Sequence, residues 1–584
     1  MCAGGWPGVA GVGAACERSR RMVRVTARPP AGQVESEAAG RPESHADAER
    51  LSRRVGHAVA WGGANQLLIR LINIAVMMVV ARLVAPREFG VFAVAITVHA
   101  IVSNIGELGV SSCLMRGDME PDEIAPTVAT VSLVSSGVLA TLMFLFADTL
   151  STALGSAQAA QPMRVMALAV LLVGVFAVPS ALLVRDFRQD KLLLATAVSA
   201  VPANLSLVLL ALHGGGAMAF AWSRVIGQLV MGAVVWRAAA RHYVPGFTRR
   251  TASQLLHFGL PLAGANLVNY TVLNADYAVV GHSLGPVQLG IYLLAFNVAS
   301  WSTSLMGAVI NSVVMPAFSR LRHDPGAFAG ALATGVGTVA LVAMPFAAVS
   351  AVMAGPLVVT MYGARWESAA PVLTLLAPYG AFSVLCLLLA NVLVGLSRTR
   401  VVLWVQAVWL AALVPAMLVG VSVGGVRGAA TAHIVVILGV VFPTYLVVLS
   451  RAVGAGTPVL VLKALALPSL GSLVAAAAGA SAARLAHDPA EKLLLGAGAA
   501  ALAYLLVLAP VLQQQLERVV PAPRRQSFVL ARYARLARSM EWLAVSRQGT
   551  APEHPPATVP VQSAQEAQSA RAGGGTGVMR GEAL

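Results

Sequence analysis

Charge is what this chain has least of. Only 11% of its 584 residues are Asp, Glu, Lys or Arg, while 57% are hydrophobic. A soluble domain carries roughly 25% charged residues, so most of this chain is not built to face water. Cysteine is scarce as well. Cys2, Cys16, Cys113 and Cys386 are the four, and their spacing suits neither a metal site nor a disulfide framework. There is no Gly-rich phosphate loop, zinc motif or Ser/His/Asp set. Long polar loops are missing too, the longest outer ones being roughly "AGPLVVTMYGARWES" and "DTLSTALGSAQAAQP". A membrane polysaccharide polymerase or ligase needs a substantial outer loop with Arg and His, so neither an enzyme nor a cofactor is expected. Acidic residues number 25 against 41 basic ones, a net charge of +16. In a soluble protein that excess suggests nucleic acid. Here the basic residues lie in short loops and at both ends, which points to membrane topology and anionic lipid instead.

What is abundant is apolar sequence, with a mean hydropathy of +0.75. Runs of about 20 residues, long enough to cross ~30 Å of hydrocarbon as helices, recur from Ala58 to Leu512. They lack strict alternation, so helices fit and a β-barrel does not. Fourteen spans are expected, the first at 58–81 and the last at 493–512. Many contain a proline, such as Pro179, Pro345 or Pro443, each marking a bend.

The first and seventh spans repeat one another. "GANQLLIRLINIAVMMVVARLVAPREFGVF" begins at Gly63 and "GANLVNYTVLNADYAVVGHSLGPVQLGIY" at Gly264. Asn65 aligns with Asn266 and Asn73 with Asn274. After a one-residue gap, Pro86 aligns with Pro286, Gly90 with Gly290 and Phe92 with Tyr292. Repeats of this kind mark secondary transporters, whose similar lobes rock about a central site. Six spans separate the copies, so the lobes share one orientation. The fold class is therefore all-α and polytopic: two parallel six-helix lobes around a central cavity, with two extra C-terminal helices.

Lys and Arg set the orientation. One set of loops holds Arg116, Arg185, Arg188, Lys191, Arg237, Arg241, Arg249, Arg250, Arg320, Arg322, Arg398, Arg400 and Arg451. The other holds only Arg82, Arg87, Arg365, Arg427, Arg484 and Lys492. The richer side is read as cytoplasmic, which puts both termini inside a cell-membrane protein. The expected domains are a disordered segment at 1–57, an N-lobe at 58–236, a cytoplasmic linker at 237–255, a C-lobe at 256–450 and the extra helices within 458–512. A basic segment at 513–547 and a disordered tail at 548–584 follow. In the basic segment Val529, Tyr533, Leu536, Met540 and Leu543 make one apolar stripe flanked by arginines. It suits either the anionic inner leaflet or the protein's own cytoplasmic loops. The N-terminal segment does not read as a signal peptide, since no basic start leads into an apolar core.

Polar side chains cluster inside four spans. Asn65, Gln66, Arg70 and Asn73 fall within an arc of ~140° on the first. Asn266, Asn269, Tyr270, Asn274, Asp276 and Tyr277 fall within ~160° on the seventh. The eighth groups Asn297, Ser300, Trp301, Ser304 and Asn311, and the second groups Ser103, Asn104, Glu107 and Ser111. The simplest geometry aims these faces at one another across a hydrated cleft, although any single Asn or Ser more often serves as helix glue. Arg70 sits mid-span, where it either contacts an anionic substrate or pairs with Glu107 or Asp276. Asp276 either binds a coupling ion or proton or pairs with Arg224 of the sixth span. Glu107 is near a span end and can snorkel. His99 and His433 are expected simply to pack or to bond a backbone carbonyl.

"FGLPLAGANLVNYTVLNADYAVVGHSLGPVQLGIYLLAFNVASW" from Phe258 and "VVMPAFSRLRHD" from Val313, with "ARLVAPREFGVFAVA" and "IGELGVSSCLMR" in the first lobe, resemble the Wzx-type polysaccharide flippases. These belong to the multidrug/oligosaccharidyl-lipid/polysaccharide exporter superfamily, and the teichuronic and colanic acid exporter branch is the most similar. The resemblance runs from Ala58 to Leu449, is looser over the last two spans and is absent from the tails. It implies two six-helix bundles with helices 1, 2, 7 and 8 lining the cavity. It also implies a polyprenyl-diphosphate-linked oligosaccharide as cargo, with glycosyltransferases and a polymerase as pathway partners. The family has no catalytic signature, and it assigns no substrate role to Arg70 or Asp276. The alternative within the superfamily is a drug/cation antiporter.

Overall fold

The computed structural model describes residues 69–106, 111, 114, 120–304 and 325–519, with single positions between 304 and 325. These residues form helices and turns, without a strand among them. Helix α1 covers 69–83, α2 Pro86–Gly106, α3 Pro121–Leu145, α4 Ala160–Arg185, α5 Gln189–Leu212 and α6 Gly216–Ala238. Arg249–Ala299 is one helical run broken at Gly285, whose φ of 76° suits glycine. It gives α7 (249–284) and α8 (286–304, with a turn at Ser300). Next come α9 at Pro325–Val352 and α10 at Ala370–Gly395. Thr399–Val436 breaks in the same way at Gly425, with φ 57°, and continues through Ile437–Val441 into Phe442–Val453. That gives α11 (399–424) and α12 (426–453). The last two helices are α13, Thr457–Ala483, and α14, Pro489–Val519.

Eleven helical stretches among the described residues are long and apolar enough to cross a bilayer. Thr399–Val453 counts once among them although it holds two passes, and only part of the first expected span is described. The described parts of the expected spans fall on helices. Large apolar side chains such as Val201, Leu205, Trp404 and Leu473 stand exposed on the outside of the bundle, as a lipid solvent requires. The protein is a multi-pass membrane protein.

In the first half of the chain α3 packs on α4, α4 on α6 and α5 on α6. In the second half α9 packs on α10, and α11 with α12 on α10 and on the α7–α8 run. Helix α13 lies along α9. The halves meet chiefly through α2 and the α7–α8 run. Helices up to Ala500 form one compact unit and a second begins at Ala501.

The meeting is tightest where α1 passes into α2 and α7 into α8. The backbone of Pro286 lies against Gly90, and that of Pro86 against Gly290. These are the residue pairs that the sequence repeat aligned, now crossed over between halves. Around them, Trp366 is fully buried and donates its indole N–H to Ala81 O at 2.7 Å. Arg82 reaches the carbonyls of Thr360 and Met361. In the opposite sense, His282 Nδ1 donates to Ala153 O at 2.8 Å. Phe89 stacks edge-on against both Trp366 and Phe220. Glu88 accepts a hydrogen bond at 2.9 Å from Ala217 N–H in the first turn of α6, where the helix dipole favours a carboxylate.

At the other end the chain from α6 to α7 is fastened to α3. Arg241 bonds both carboxylate oxygens of Asp122 at 3.1 Å, and the Tyr243 hydroxyl bonds Asp122 as well. Gly246 N–H donates to Pro126 O, and Thr130 Oγ1 to Gly246 O at 2.7 Å. Burial, reinforced by the Asp122 carboxylate, pushes the Tyr243 phenol above its ordinary pKa.

Candidate functional site

A cavity of about 470 Å³ opens between α1 and α8. Helix α1 contributes Arg70, Asn73 and Met77, and α8 contributes Asn297, Ser300, Trp301 and Ser304; Tyr362 also lines it. Arg70, Asn73 and Asn297 are exposed. Asn73 also accepts a hydrogen bond at 3.0 Å from Asn204 Nδ2 of α5. Asn297 donates to Leu293 O one turn back at 2.9 Å. Of the two helical-wheel faces, Arg70 and Asn73 of the first span and Asn297, Ser300, Trp301 and Ser304 of the eighth line one space.

The other two polar faces behave differently. In α2, Asn104 donates to Ala100 O, Thr97 to Ala93 O, and Ser103 bonds the His99 ring. Ser103 and Asn104 are thus bonded within their own helix, while Ser111 Oγ is buried without a partner. Asn274 in α7 likewise donates to Tyr270 O at 2.8 Å. Asn65, Gln66 and Glu107 lie outside the described residues, as do the side chains of Asn266 and Asn269 and the basic segment beyond Val519.

Asp276 belongs to a second cavity, of about 320 Å³, inside the second half of the chain. It is 3% exposed. Its Oδ2 accepts a hydrogen bond from Tyr292 Oη of α8 at 2.9 Å and lies 3.8 Å from His433 Nε2 of α12. Tyr292 Oη and His433 Nε2 are 2.7 Å apart. The structure therefore gathers Asp276, Tyr292 and His433, and does not bring Asp276 to Arg224. Arg224 lies against His99 instead, with Nε 3.5 Å from Nε2. His433 was expected simply to pack or to bond a backbone carbonyl, yet its ring is part of a side-chain network. No periodicity marks it, because its helix is apolar all round. A buried titratable ring in a membrane span was the only signal available.

A local irregularity of α12 follows His433. One turn further on, Ile437–Val441 is a π-helical stretch in which Phe442 N–H bonds Ile437 O, five residues back. Pro443 follows. A helical proline lacks an N–H and its ring presses on the carbonyl four residues earlier. The wider π turn relieves that conflict without a sharp break, as single-turn π-bulges do elsewhere, frequently at functional sites.

The two cavities share a wall. Ser300 and Ser304 of α8 line both.

Residues 79–371, half of the chain, match the family described as polysaccharide biosynthesis protein. The chain belongs to that family. Among members of the polysaccharide biosynthesis family and their kin, the succinoglycan biosynthesis transport protein ExoT of Rhizobium meliloti (strain 1021) is 30% identical over 369 residues. That stretch is 61% of this chain and 72% of the relative. The lipopolysaccharide biosynthesis protein WzxC of Escherichia coli (strain K12) is 22% identical over 401 residues, covering 68% of this chain and 80% of its own. In structure, the chain is similar to the lipid II flippase MurJ in an inward closed conformation, with a TM-score of 0.65 and 14% identity. That alignment covers 78% of this chain and all of the other. An inward-facing multidrug resistance MATE family transporter of the MOP superfamily gives 0.53 at 17% identity, over 67% of this chain and 98% of its own. At such identities the two structures establish a common fold. The family match begins after Arg70 and ends before His433, so neither residue's placement rests on it.

Proposed function

We propose that the protein is a flippase. It carries a polyprenyl-diphosphate-linked oligosaccharide, the precursor of a cell-surface polysaccharide, from the inner to the outer leaflet of the cell membrane by alternating access. The observation that carries this reading is the cleft of about 470 Å³ in which Arg70 and Asn73 stand across from Asn297 and Trp301. Its size suits a head group and leaves the prenyl tail in lipid. A guanidinium is the side chain best matched to a diphosphate, since its planar fork can bind two oxygens at once. The amides and the serines of α8 satisfy sugar hydroxyls. From their positions in the sequence, Asn65, Gln66, Asn266 and Asn269 are assigned to cargo binding as well. The curated relatives bear transport and biosynthesis names, in keeping with a carrier that performs no bond chemistry. Glycosyltransferases supply its cargo and a polymerase consumes it.

In this reading both termini are cytoplasmic, and the seam of Pro86, Gly90, Pro286 and Gly290 is at the outer face. The joined seam is then the state that accepts cargo from inside. Asp276 is coupled to the cycle rather than to the cargo.

The test uses a strain lacking its own flippase, with surface polysaccharide as the readout. Arg70→Ala should insert normally, since removing mid-span Arg lowers the insertion cost by about 2.5–3.5 kcal/mol, and should lose most transport. Arg70→Lys keeps the charge without the fork and should retain part. The repeat places Asp276 opposite Ala75, about five residues or 7–8 Å of helix rise from Arg70. Near-normal transport in the Arg70→Ala/Asp276→Ala double variant would make the two a structural ion pair and remove the diphosphate contact.

A further inference from the structure

We propose that Asp276, Tyr292 and His433 form a proton-binding site within the second lobe, with Tyr292 as the relay between the other two. In the flippase reading, on which only this last step rests, the bound proton is the coupling ion.

The three residues are 3%, 0% and 2% exposed, so their hydrogen bonds have to balance among themselves. Tyr292 has one hydroxyl proton, and that proton is donated to Asp276 Oδ2. The 2.7 Å contact between Tyr292 Oη and His433 Nε2 must then be a donation from Nε2–H. The chain runs His433 Nε2–H to Tyr292 Oη–H to the Asp276 carboxylate. Its two ends are bare. Asp276 Oδ1 and His433 Nδ1 are both buried and without a hydrogen-bond partner. Buried polar atoms are nearly always paired, and an orphan costs roughly 1–3 kcal/mol. Of the two orphans, His433 Nδ1 is the acceptor open to an incoming proton, and Asp276 Oδ1 shows a carboxylate short of the donors that a buried charge needs.

Both ends reach a cavity of about 320 Å³, lined also by Tyr379, Ser383, Gln406 and Tyr445. Neither Lys nor Arg is among its lining residues. The titratable groups around the site are Tyr277 on α7, Tyr379 and Cys386 on α10 and Tyr445 on α12, while α11 contributes only Gln406 and Trp409 among the polar and aromatic lining groups. As drawn, the carboxylate has no cation to balance it. One added proton removes that charge from the membrane interior, where a lone charge is expensive.

The transfer balances. A proton arriving at His433 Nδ1 forms an N–H bond there. The Nε2–H bond breaks as its proton passes to Tyr292 Oη, and the former hydroxyl proton forms an O–H bond at Asp276 Oδ2. Imidazole ends neutral with its hydrogen on Nδ1, the phenol is unchanged, the carboxyl is neutral, and the chain of donors points the other way. Release reverses the sequence. The link to the cleft is α8. Tyr292 lies on it, and Ser300 and Ser304 line both cavities, so a rearranged Tyr292 is felt at the cargo wall.

The experiment is infrared difference spectroscopy on the purified full-length protein between acidic and alkaline buffers, with and without sodium. The wild type should show a protonated-carboxyl stretch that titrates, is absent in Asp276→Asn, and moves in frequency or midpoint in Tyr292→Phe and His433→Gln. Asp276→Glu keeps a carboxyl and should give a shifted band, which guards against a variant that merely misfolds. A wild-type band unaltered in Asp276→Asn, no band at all, or a band abolished by sodium at fixed pH would each overturn the proton site. Failure of the flippase reading looks different: the band behaves as stated while the wild type carries no lipid-linked oligosaccharide.

Discussion

A Cβ on Gly90 would overlap the carbonyl oxygen of Pro286, and one on Gly290 that of Pro86. Both obstacles are backbone, which cannot step aside as a flexible side chain can. Gly90→Ala or Gly290→Ala therefore penalises the state in which the two halves are joined at this seam and leaves the parted state untouched. Overpacking of this kind costs about 1–3 kcal/mol, a shift of roughly 5- to 150-fold between two states. The expected outcome is faster labelling of a cysteine at Asn297 by an impermeant thiol reagent added from outside. Labelling as slow as in the parent, in a protein that remains folded, would show that the seam does not govern access. At this scale the sequence was partly legible. Gly90 and Gly290 were visible because they recur in a repeat, and Arg70 because charge is rare in a span. His433 was not, since nothing in its own helix sets it apart. Its neighbour Asp276 is 157 positions earlier and reaches it only through the tertiary fold.

Two helices show the repeat more deeply than the sequence does. Helix α4 ends with Arg188 N–H bonded to Leu183 O and Phe187 N–H to Val184 O; α10 ends with Arg398 N–H bonded to Leu393 O and Ser397 N–H to Val394 O. Both are Schellman closures, and both place a residue other than glycine in the left-handed region, with φ 54° at Phe187 and 60° at Ser397. That conformation costs an L-residue roughly 1–2 kcal/mol, against about 0.5–1 kcal/mol for the extra chain entropy of glycine. Ser397→Gly should then raise stability by up to about 1 kcal/mol in thermal unfolding in detergent. Phe187→Gly should do the same, since the Phe187 ring is 91% exposed and gives up little packing. A loss of stability in both would mean that the turn is held by something other than backbone preference. No alignment of letters reveals this pair, because the shared property is a backbone angle. The break at Gly285 and the π turn before Pro443 are similar cases. The proline was readable as a bend, but not how the backbone absorbs it, and Gly285 was not singled out in the sequence.

For the whole molecule, the positive-inside asymmetry makes a prediction that the structure refines. Single cysteines in a cysteine-free background should react from outside at Thr152 and Ser283 and not at Thr248. All three positions are exposed, whereas Gly155 packs on the Gly281 carbonyl and tolerates no side chain. The reverse pattern would invert the protein in the membrane and with it the direction of transport. Fold class and span order were legible because hydropathy and repetition are global signals that survive local error. The separation of the polar groups into two cavities was not, because it depends on which side of α8 each polar group of a neighbouring helix approaches.

The crossed contacts of Pro86 with Gly290 and Pro286 with Gly90 have a bearing on ancestry. Contact of i with j answered by j with i is the mark of an isologous interface between identical subunits. A half-length chain with this seam would be self-complementary, a dimer of six-helix units with two equivalent faces on one cavity. Fusion into a single polypeptide frees those faces to differ. Arg70 now has Thr271 at its counterpart position and Asp276 has Ala75, an asymmetry that no homodimer could have encoded.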